Sequence, residues 1–562
     1  MSGKKYGTAL LRIHGGRLDT ARCGQDMRKT LTQQAVVYIY YSPKAFYVGQ
    51  TNQFLERHDQ HRREIRTDYT EFTHVMVLFG QYVNGSSLND LERLLITYLT
   101  ADHEMLPSGQ RRVCRNRTAG NRHMDYPERE EVLSLVLAPF WEGELRAAGL
   151  SHGVSLAELR QSILFKYSPF TELSGEQEGL IRDVQSSGQS FLVCGTAGTG
   201  KTVVLTNLAA RLCDQGGERR QTIGVAVKSN WVKTARRIFR AYGVQDQVTV
   251  GTPYQLIKSP ERFDLILVDE AHRLRWNCSK QNHLMSDIFD PEDPQKHELF
   301  LLGEKSGRLV LFYDPIQAIR PSDIPRRDFL RYVREHGLQE RQLTAQFRVQ
   351  VADEGAGYTA EDYVNGICAF LQLGEAGFDP GVFQNPSPDA YFGVVDSIHA
   401  LFEYVDGKRQ HYPSAQCRVL AGYARPWVSK YKPGHRLYAP FDWKEASGGQ
   451  WKWNSTHESW IARPGSEDEI GSIHAVQGVD LDYAGVVVAR DLTVYRGVVA
   501  AAREHYYDVN GTPPKGSFTL EELSEYIRQI YYVLLTRAIR GVRVYFEDPA
   551  VKQHFMQVAG LK

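Results

Sequence analysis

Cysteine is scarce in this chain, and no two cysteines form a C-x-x-C pair. Seven are scattered along it: Cys23, Cys114, Cys194, Cys213, Cys278, Cys368 and Cys417. Such usage argues for a reducing compartment, the cytoplasm, and against a structural zinc site. No apolar run approaches the ~20 residues that cross a bilayer, so no membrane span is expected. The first thirty residues, Met1 to Thr30, are polar and basic without an apolar signal core, which argues against secretion. Excess charge of one sign is also missing. Lys and Arg number 67 against 66 Asp and Glu, a net of +1. A chain so balanced meets a polyanion only through local patches. Two runs stand out: residues 57–63 (Arg57, His58, His61, Arg62, Arg63) and residues 111–117 (Arg111, Arg112, Arg115, Arg117). Taken alone, either reads as a solvated surface. Internal repeats and low-complexity segments are absent.

What remains is an ordinary globular composition, 42% hydrophobic and 24% charged, in a chain too long for one core. Residues 1–33 read as a loosely held N-terminal extension. Residues 34–123 open with the aromatic-aliphatic run Val36 to Tyr41, then a Ser42-Pro43-Lys44 turn and a second short strand, Phe46 to Gly49. That is a hairpin. A helical pattern follows at Leu88 to Leu99. Residues 124–170 read as a helical connector. From 171 onward strands and helices alternate in the α/β manner: 171–335 form one domain and 336–562 a second with insertions. The insertions are a Gly/Pro-rich stretch, Gly374 to Pro388, and a Gly/Trp-rich hairpin-like stretch, Tyr431 to Trp453. The fold class is therefore multidomain α/β.

Residues 195–202 read Gly-Thr-Ala-Gly-Thr-Gly-Lys-Thr, a complete G-x-x-x-x-G-K-T phosphate loop. The apolar run Phe191 to Cys194 leads in as a strand, and Val203 to Leu212 leads out as a helix. Strand, glycine loop (Gly195, Gly198, Gly200) and helix N-terminus together make an anion cradle of backbone N–H groups. Lys201 then reaches the β- and γ-phosphates and Thr202 ligates Mg²⁺, so ATP and Mg²⁺ are the expected cofactors. Downstream, the apolar strand Leu265 to Val268 ends in Asp269-Glu270. Asp269 suits the Mg²⁺ shell and Glu270 the attacking water. A further apolar strand, Leu309 to Tyr313, ends in Asp314-Pro315-Ile316-Gln317, where Gln317 can touch the γ-phosphate.

Three later fragments complete the series: Gln346-Phe347-Arg348, Ser472-Ile473-His474-Ala475-Val476-Gln477-Gly478, and Thr536-Arg537-Ala538. With these, residues 171–548 resemble the superfamily 1 helicase motor, and most of all its Schlafen-type family. The resemblance implies two RecA-like parallel-sheet domains with ATP between them. It implies that Arg348 and Arg537 come from the second domain as arginine fingers, a role worth ~10³–10⁵ in rate. It makes Gln177 the adenine-reading residue. It also places Lys228, Ser229, Asn230, Thr252, His474 and Gln477 against nucleic acid. The first domain has little room for a large duplex-splitting insertion, so ATP-driven translocation is expected before strand separation.

The N-terminal segment 34–120 resembles the GIY-YIG nuclease family, in Val36-Val37-Tyr38 followed by Tyr47-Val48-Gly49. Arg57 and His61 fall on that family's R-x-x-x-H pattern, a spacing that puts both on one helix face. Glu92 matches its metal-binding glutamate and Asn116 its late asparagine. The resemblance implies Tyr38 or His61 as base, Tyr47 beside them, Arg57 as cation, and Mg²⁺ or Mn²⁺ on Glu92. The two resemblances together imply an ATP-driven nucleic-acid motor carrying a metal-dependent endonuclease, acting on DNA rather than RNA. Chains of this design are similar to prokaryotic genome-maintenance or anti-phage proteins. An RNA-directed NTPase with an RNA-cleaving head, and an ATP-gated binding switch without cleavage, are the competing classes. A protein partner is left open.

Overall fold

The computed structural model describes all residues except 1–3, 22, 64–68, 117–125, 215–220, 277–287, 290–295, 318–322, 348, 351–356, 414, 457–459, 477–479, 509–518 and 562. The chain forms two compact units. The first comprises residues 1–185, 202–225 and 233–250; the second comprises 186–201, 226–232 and 251–562.

The first unit holds a sheet of six strands: β1 (Tyr6–His14), β2 (Arg17–Leu18), β3 (Val36–Tyr41), β4 (Ala45–Thr51), β5 (His74–Gly80) and β6 (Val113–Cys114). Their order is β2-β1-β5-β3-β4-β6. Every pairing is antiparallel except β4 with β6. The aromatic, β-branched run of β3 suits a central strand, and all six of its residues are buried. The expected β3–β4 hairpin forms, in the register Tyr38↔Gly49 and Tyr40↔Tyr47. Residues 6–14, expected in a loosely held extension, instead form a strand that pairs with β5 from Tyr6 to Arg12 and with β2 at Ile13 and His14. The reason is a partial period-2 pattern: Ala9, Leu11 and Ile13 are buried in the core while Leu10, Arg12 and His14 are exposed. Gly15 and Gly16, at φ 55° and 73°, make the tight turn into β2. The helix Leu88–Met105 packs on β4 and extends the expected pattern by nearly two turns. In the connector, Trp141 is buried and its Nε1 donates to Val154 O (3.0 Å).

The first α/β region contributes β7 (Phe191–Gly195), β8 (Ile223–Ala226), β9 (Val248–Gly251), β10 (Leu265–Val268), β11 (Leu309–Tyr313) and β12 (Gln339–Leu343). The division between the units falls inside β8 and β9. Within the second unit the strand order is β12-β7-β11-β10, all parallel. Strand β12 lies beyond the expected boundary at 335 yet pairs with β7 from Gln339↔Phe191 to Leu343↔Gly195. It is an edge strand in which only Leu343 is fully buried, so it lacks the apolar run that reveals its neighbours.

The remainder of the second unit builds a seven-stranded sheet. Its strands are β13 (Phe392–Val394), β14 (Cys417–Ala421), β15 (Trp443–Lys444), β16 (Gln450–Trp453), β17 (Glu469–Ser472), β18 (Leu481–Val488) and, after the separate hairpin β19 (Leu492–Tyr495) and β20 (Val498–Ala501), β21 (Ala538–Phe546). The order is β13-β21-β18-β14-β17-β16-β15, parallel but for the β15–β16 hairpin. All eight residues of β18 are buried, as expected of a central parallel strand covered on both faces. The observed architecture is α/β with parallel-sheet regions, preceded by a largely antiparallel one.

Candidate functional site

The phosphate loop follows β7 and runs into the helix Lys201–Asp214. Gly198 and Gly200 have φ of 88° and 78°, where a side chain is strained. At Gly195 a Cβ would meet Thr199 Oγ1 at 2.5 Å. Lys201 Nζ donates to Gly195 O (2.7 Å) and Thr196 O (2.8 Å) and stands 3.5 Å from Asp314 Oδ2. The segment after β12 also reaches this loop. Gln346 Nε2 donates to Ala197 O (2.6 Å), and Phe347 N–H donates to Gly198 O (2.9 Å). Thus Gln346 and Phe347 approach the phosphate loop from the first parallel sheet, not from the second. Arg348 lies outside the described residues.

A hydrogen-bonded relay leads from this lysine to the end of β10. Asp314 Oδ2 accepts from Gln317 Nε2 (2.7 Å), and the Asp314 N–H donates to His272 Nδ1 (3.2 Å). With Nδ1 accepting, the imidazole proton sits on Nε2, which is 2.8 Å from Glu270 Oε2. Burial holds the His272 pKa below its ordinary value despite Glu270, in keeping with that neutral tautomer. Burial pushes the Glu270 carboxyl up, but Lys228, His272 and Lys201 outweigh it and hold it well below the usual carboxylate range. Glu270 is an ionised acceptor with one oxygen fixed by His272. Its backbone is left-handed, φ 53°, a strained conformation for a residue with a Cβ. Asp269 Oδ1 accepts the Glu270 N–H (3.1 Å).

The other motor residues are placed as follows. Gln177 is buried, and its Oε1 accepts the Ser174 N–H (3.0 Å) at the start of the helix Gly175–Ser186, a capping contact. Thr202 is the second residue of the helix after the loop. Ser229 and Asn230 are exposed. Thr252 caps the helix Pro253–Lys258 reciprocally with Gln255. His474 Nε2 lies 2.8 Å from Asp508 Oδ2, with the Tyr423 ring 5.5 Å away. Gln477 lies outside the described residues. Arg537 is buried between the helix Leu520–Leu535 and β21. The sequence reading singled out neither His272 nor Asp314, because their meaning is the contact each makes across the sheet end. The pattern of residue types after β10 and β11 was the available signal.

In the first unit the N-terminal candidates gather around β3 and β4. Tyr38 OH and His61 Nε2 are 2.8 Å apart and both buried. Tyr47 stands edge-on to His61, ring centroids 5.7 Å apart. Gly49 gives Tyr38 its room: a Cβ there would lie 2.4 Å from the phenol. Asn116 clasps β4, donating from Nδ2 to Val48 O (2.7 Å) and accepting the Val48 N–H at Oδ1 (2.9 Å). Glu92 is only 7% exposed. Burial pushes its carboxyl up to about 7, against a hydrogen bond from Gln50 and the charge of Arg57. Arg57 Nη1 also donates to Gln60 Oε1 (3.1 Å). A second pair, Tyr40 OH with His58 Nδ1 (2.7 Å), lies one strand step away and was not foreseen. Among the described residues no group of three or more His, Cys, Asp or Glu side chains could hold a metal. A metal here would rest on Glu92 as the single carboxylate. A carboxylate raised by burial gains from a divalent cation, so the donor fits that role.

A phosphate loop after a parallel strand, with an Asp-Glu pair ending another strand of the same sheet, defines a P-loop NTPase. Residues 188–548, more than half of the chain, match the family described as "Schlafen group 3, DNA/RNA helicase domain", and the chain belongs to that family. A curated relative from Saccharomyces cerevisiae, "Uncharacterized protein YPL245W", is 26% identical over 434 residues, spanning 68% of this chain and 90% of its own length. Among solved structures, Pif1 helicase from Candida albicans is 13% identical and covers 69% of this chain and 100% of its own, with a TM-score of 0.28. Bacteroides sp Pif1 in complex with ADP-AlF4 is 13% identical over 69% and 96%, with a TM-score of 0.29. The helicase MrfA bound to DNA and AMPPNP is 11% identical over 69% and 50%, with a TM-score of 0.31. Among the described residues no helix is long and apolar enough to cross a membrane.

Proposed function

We propose that the chain is an ATP-driven translocase on nucleic acid, DNA in preference to RNA, whose N-terminal unit is a metal-dependent endonuclease of the GIY-YIG type. The observation that carries the motor reading is the relay from Lys201 through Asp314 and His272 to Glu270. It links the group that meets the γ-phosphate to the group that orients water. Lys201 exchanges its two carbonyl contacts for phosphate oxygens. Thr202 and Asp269 are the residues that would hold Mg²⁺, which when bound would supply charge neutralisation at the phosphates. Glu270, ionised and anchored through one oxygen, uses the other to orient the attacking water. Gln317, bonded to Asp314, senses the γ-phosphate. Arg537 supplies transition-state charge stabilisation, and Arg348 is proposed for the same role.

The nuclease reading rests on the Tyr38–His61 pair beside Tyr47, together with the buried Glu92 next to Arg57. His61 accepts the phenol proton and so prepares Tyr38 to take one from water. Arg57 faces developing phosphate charge. Glu92 would hold a divalent ion, which when bound would supply Lewis-acid chemistry. Asn116 acts on the site by fixing β4.

The test is the ATP-hydrolysis rate with single-stranded DNA, duplex DNA and RNA, run beside a cleavage assay with Mg²⁺ and Mn²⁺. Stimulation by DNA and metal-dependent cutting are expected. Stimulation by RNA alone would move the reading to an RNA-directed enzyme. Turnover indifferent to any nucleic acid, with no cutting, would favour an ATP-gated switch.

A further inference from the structure

The stretch joining β14 to β15 has no role in either chemistry above, and it is both basic and aromatic. The sixteen residues Pro426 to Phe441 contain Lys430, Lys432 and Arg436 and not one Asp or Glu, in a protein whose charges otherwise cancel. Five rings are interleaved with those cations: Trp427, Tyr431, His435, Tyr438 and Phe441. Lys430, Lys432, His435 and Arg436 are exposed. Tyr431 and His435 stack, 4.4 Å between centroids and 4° from parallel, and Lys430 Nζ stands 5.4 Å from the Tyr431 ring.

The segment is held by its base. Ser429 donates twice to the Asp442 carboxylate, from N (2.8 Å) and Oγ (2.5 Å), and the same carboxylate accepts the Trp453 N–H (2.9 Å). Arg425 pairs with Glu547 (2.6 Å) and lies over the buried Trp443 ring (5.3 Å). Its position is also informative. It leaves the carboxyl end of β14, beside the carboxyl end of β17, since Ala421 pairs with Ser472. That edge is where open parallel sheets present ligand-binding loops. Tyr423, two residues past β14, packs on His474, two residues past β17.

We infer that residues 426–441 form a strand-binding platform for single-stranded nucleic acid. Tyr431 and His435 offer a preassembled face on which a base stacks, and Lys430, Lys432 and Arg436 track the phosphates on either side of it. Base–aromatic stacking beside a basic track recognises a single strand without regard to sequence. A duplex keeps its bases out of reach of such a face. This rests on the motor reading above and adds to it a contact outside the residues that the helicase resemblance assigns to nucleic acid.

The test is binding of a fluorescein-labelled oligo(dT) to the full chain by anisotropy across a salt series. Tyr431→Ala is expected to weaken binding roughly five- to 150-fold, the loss of about one stacked base, while Tyr431→Phe binds as wild type. The triple variant Lys430→Ala/Lys432→Ala/Arg436→Ala is expected to lower the slope of log affinity against log salt by about two, at ~0.7 per lost phosphate contact. ATP hydrolysis without nucleic acid should be unchanged in each. All three cations are exposed, so the triple variant remains a test even where Tyr431→Ala unfolds. Wild-type affinity and slope in the triple variant would overturn the platform, as would equal losses on duplex and single strand. Binding of the wild type to anionic phosphatidylserine vesicles in place of oligo(dT) would assign the patch to a membrane instead. A wild type that binds no nucleic acid at all fails the motor reading itself, a result distinct from variants that bind like a competent wild type.

Discussion

Glu92 and Glu270 are carboxylates held on opposite sides of their ordinary range, and each direction has a consequence. Burial pushes Glu92 up to about 7 from 4.5. A group raised in the folded state adds stability below its unfolded pKa and loses it as pH rises through the folded value. The difference amounts to about 3 kcal/mol by pH 8. Glu92→Gln, which cannot ionise, should therefore melt higher than wild type at pH 8 and alike at pH 4, while metal-dependent cleavage disappears. A variant that melts lower at both values would show that the carboxylate is a structural partner. Glu270, held low by Lys228, His272 and Lys201, is ionised throughout the neutral range. His272→Ala removes a hydrogen bond to that charged oxygen, a contribution of about 1.5–3 kcal/mol. The maximal ATPase rate should fall roughly 10- to 150-fold, with ATP affinity nearly constant, because His272 touches Glu270 and not the nucleotide loop. Loss of affinity at an unchanged rate would remove His272 from the relay.

At the scale of elements, legibility followed the range of the pattern. The phosphate loop, β10 and β11 were readable because each is a local run: a glycine series, or an apolar strand ending in Asp. The hairpin β3–β4 was readable from its aromatic and β-branched residues. Strand β12 was not, since an edge strand with one fully buried residue carries no apolar signature. Strand β1 was hidden because Leu10, an apolar residue on its exposed face, blurs the alternation of its buried residues. The Asn116 clasp on Val48 spans 68 positions and is visible only in the fold. Gly49 belongs with these elements as well. Its role is to leave space for Tyr38 on the neighbouring strand, where a Cβ would approach within 2.4 Å. Gly49→Ala should overpack that spot, costing about 1–3 kcal/mol, and should displace the phenol from His61. Cleavage should fall sharply while ATP turnover stays at the wild-type level. Cleavage retained at the wild-type rate would contradict that role for the glycine.

At the scale of the whole molecule, the two proposed chemistries are assigned to residues far apart in sequence, which makes them separable by mutation. Lys201 is the ammonium placed inside the phosphate loop, bonded to Gly195 and Thr196 carbonyls. Lys201→Ala removes a charge that the γ-phosphate transition state requires, so ATP hydrolysis should fall to background. The contacts it loses are two carbonyls and a more distant Asp314, so the melting temperature should change little. Tyr38, His61 and Glu92 make none of these contacts, so Lys201→Ala should still nick a short oligonucleotide that needs no translocation. On a long substrate, cleavage far from a single-stranded loading end should require ATP and should be lost in Lys201→Ala although short-substrate nicking survives, whereas Glu92→Gln should cut neither substrate. The comparison is therefore cutting against distance from the loading end, with and without ATP, in wild type, Lys201→Ala and Glu92→Gln. A distance profile independent of ATP in the wild type would mean that the motor does not deliver the nuclease. Loss of short-substrate nicking in Lys201→Ala would mean instead that the nuclease depends on an intact nucleotide site.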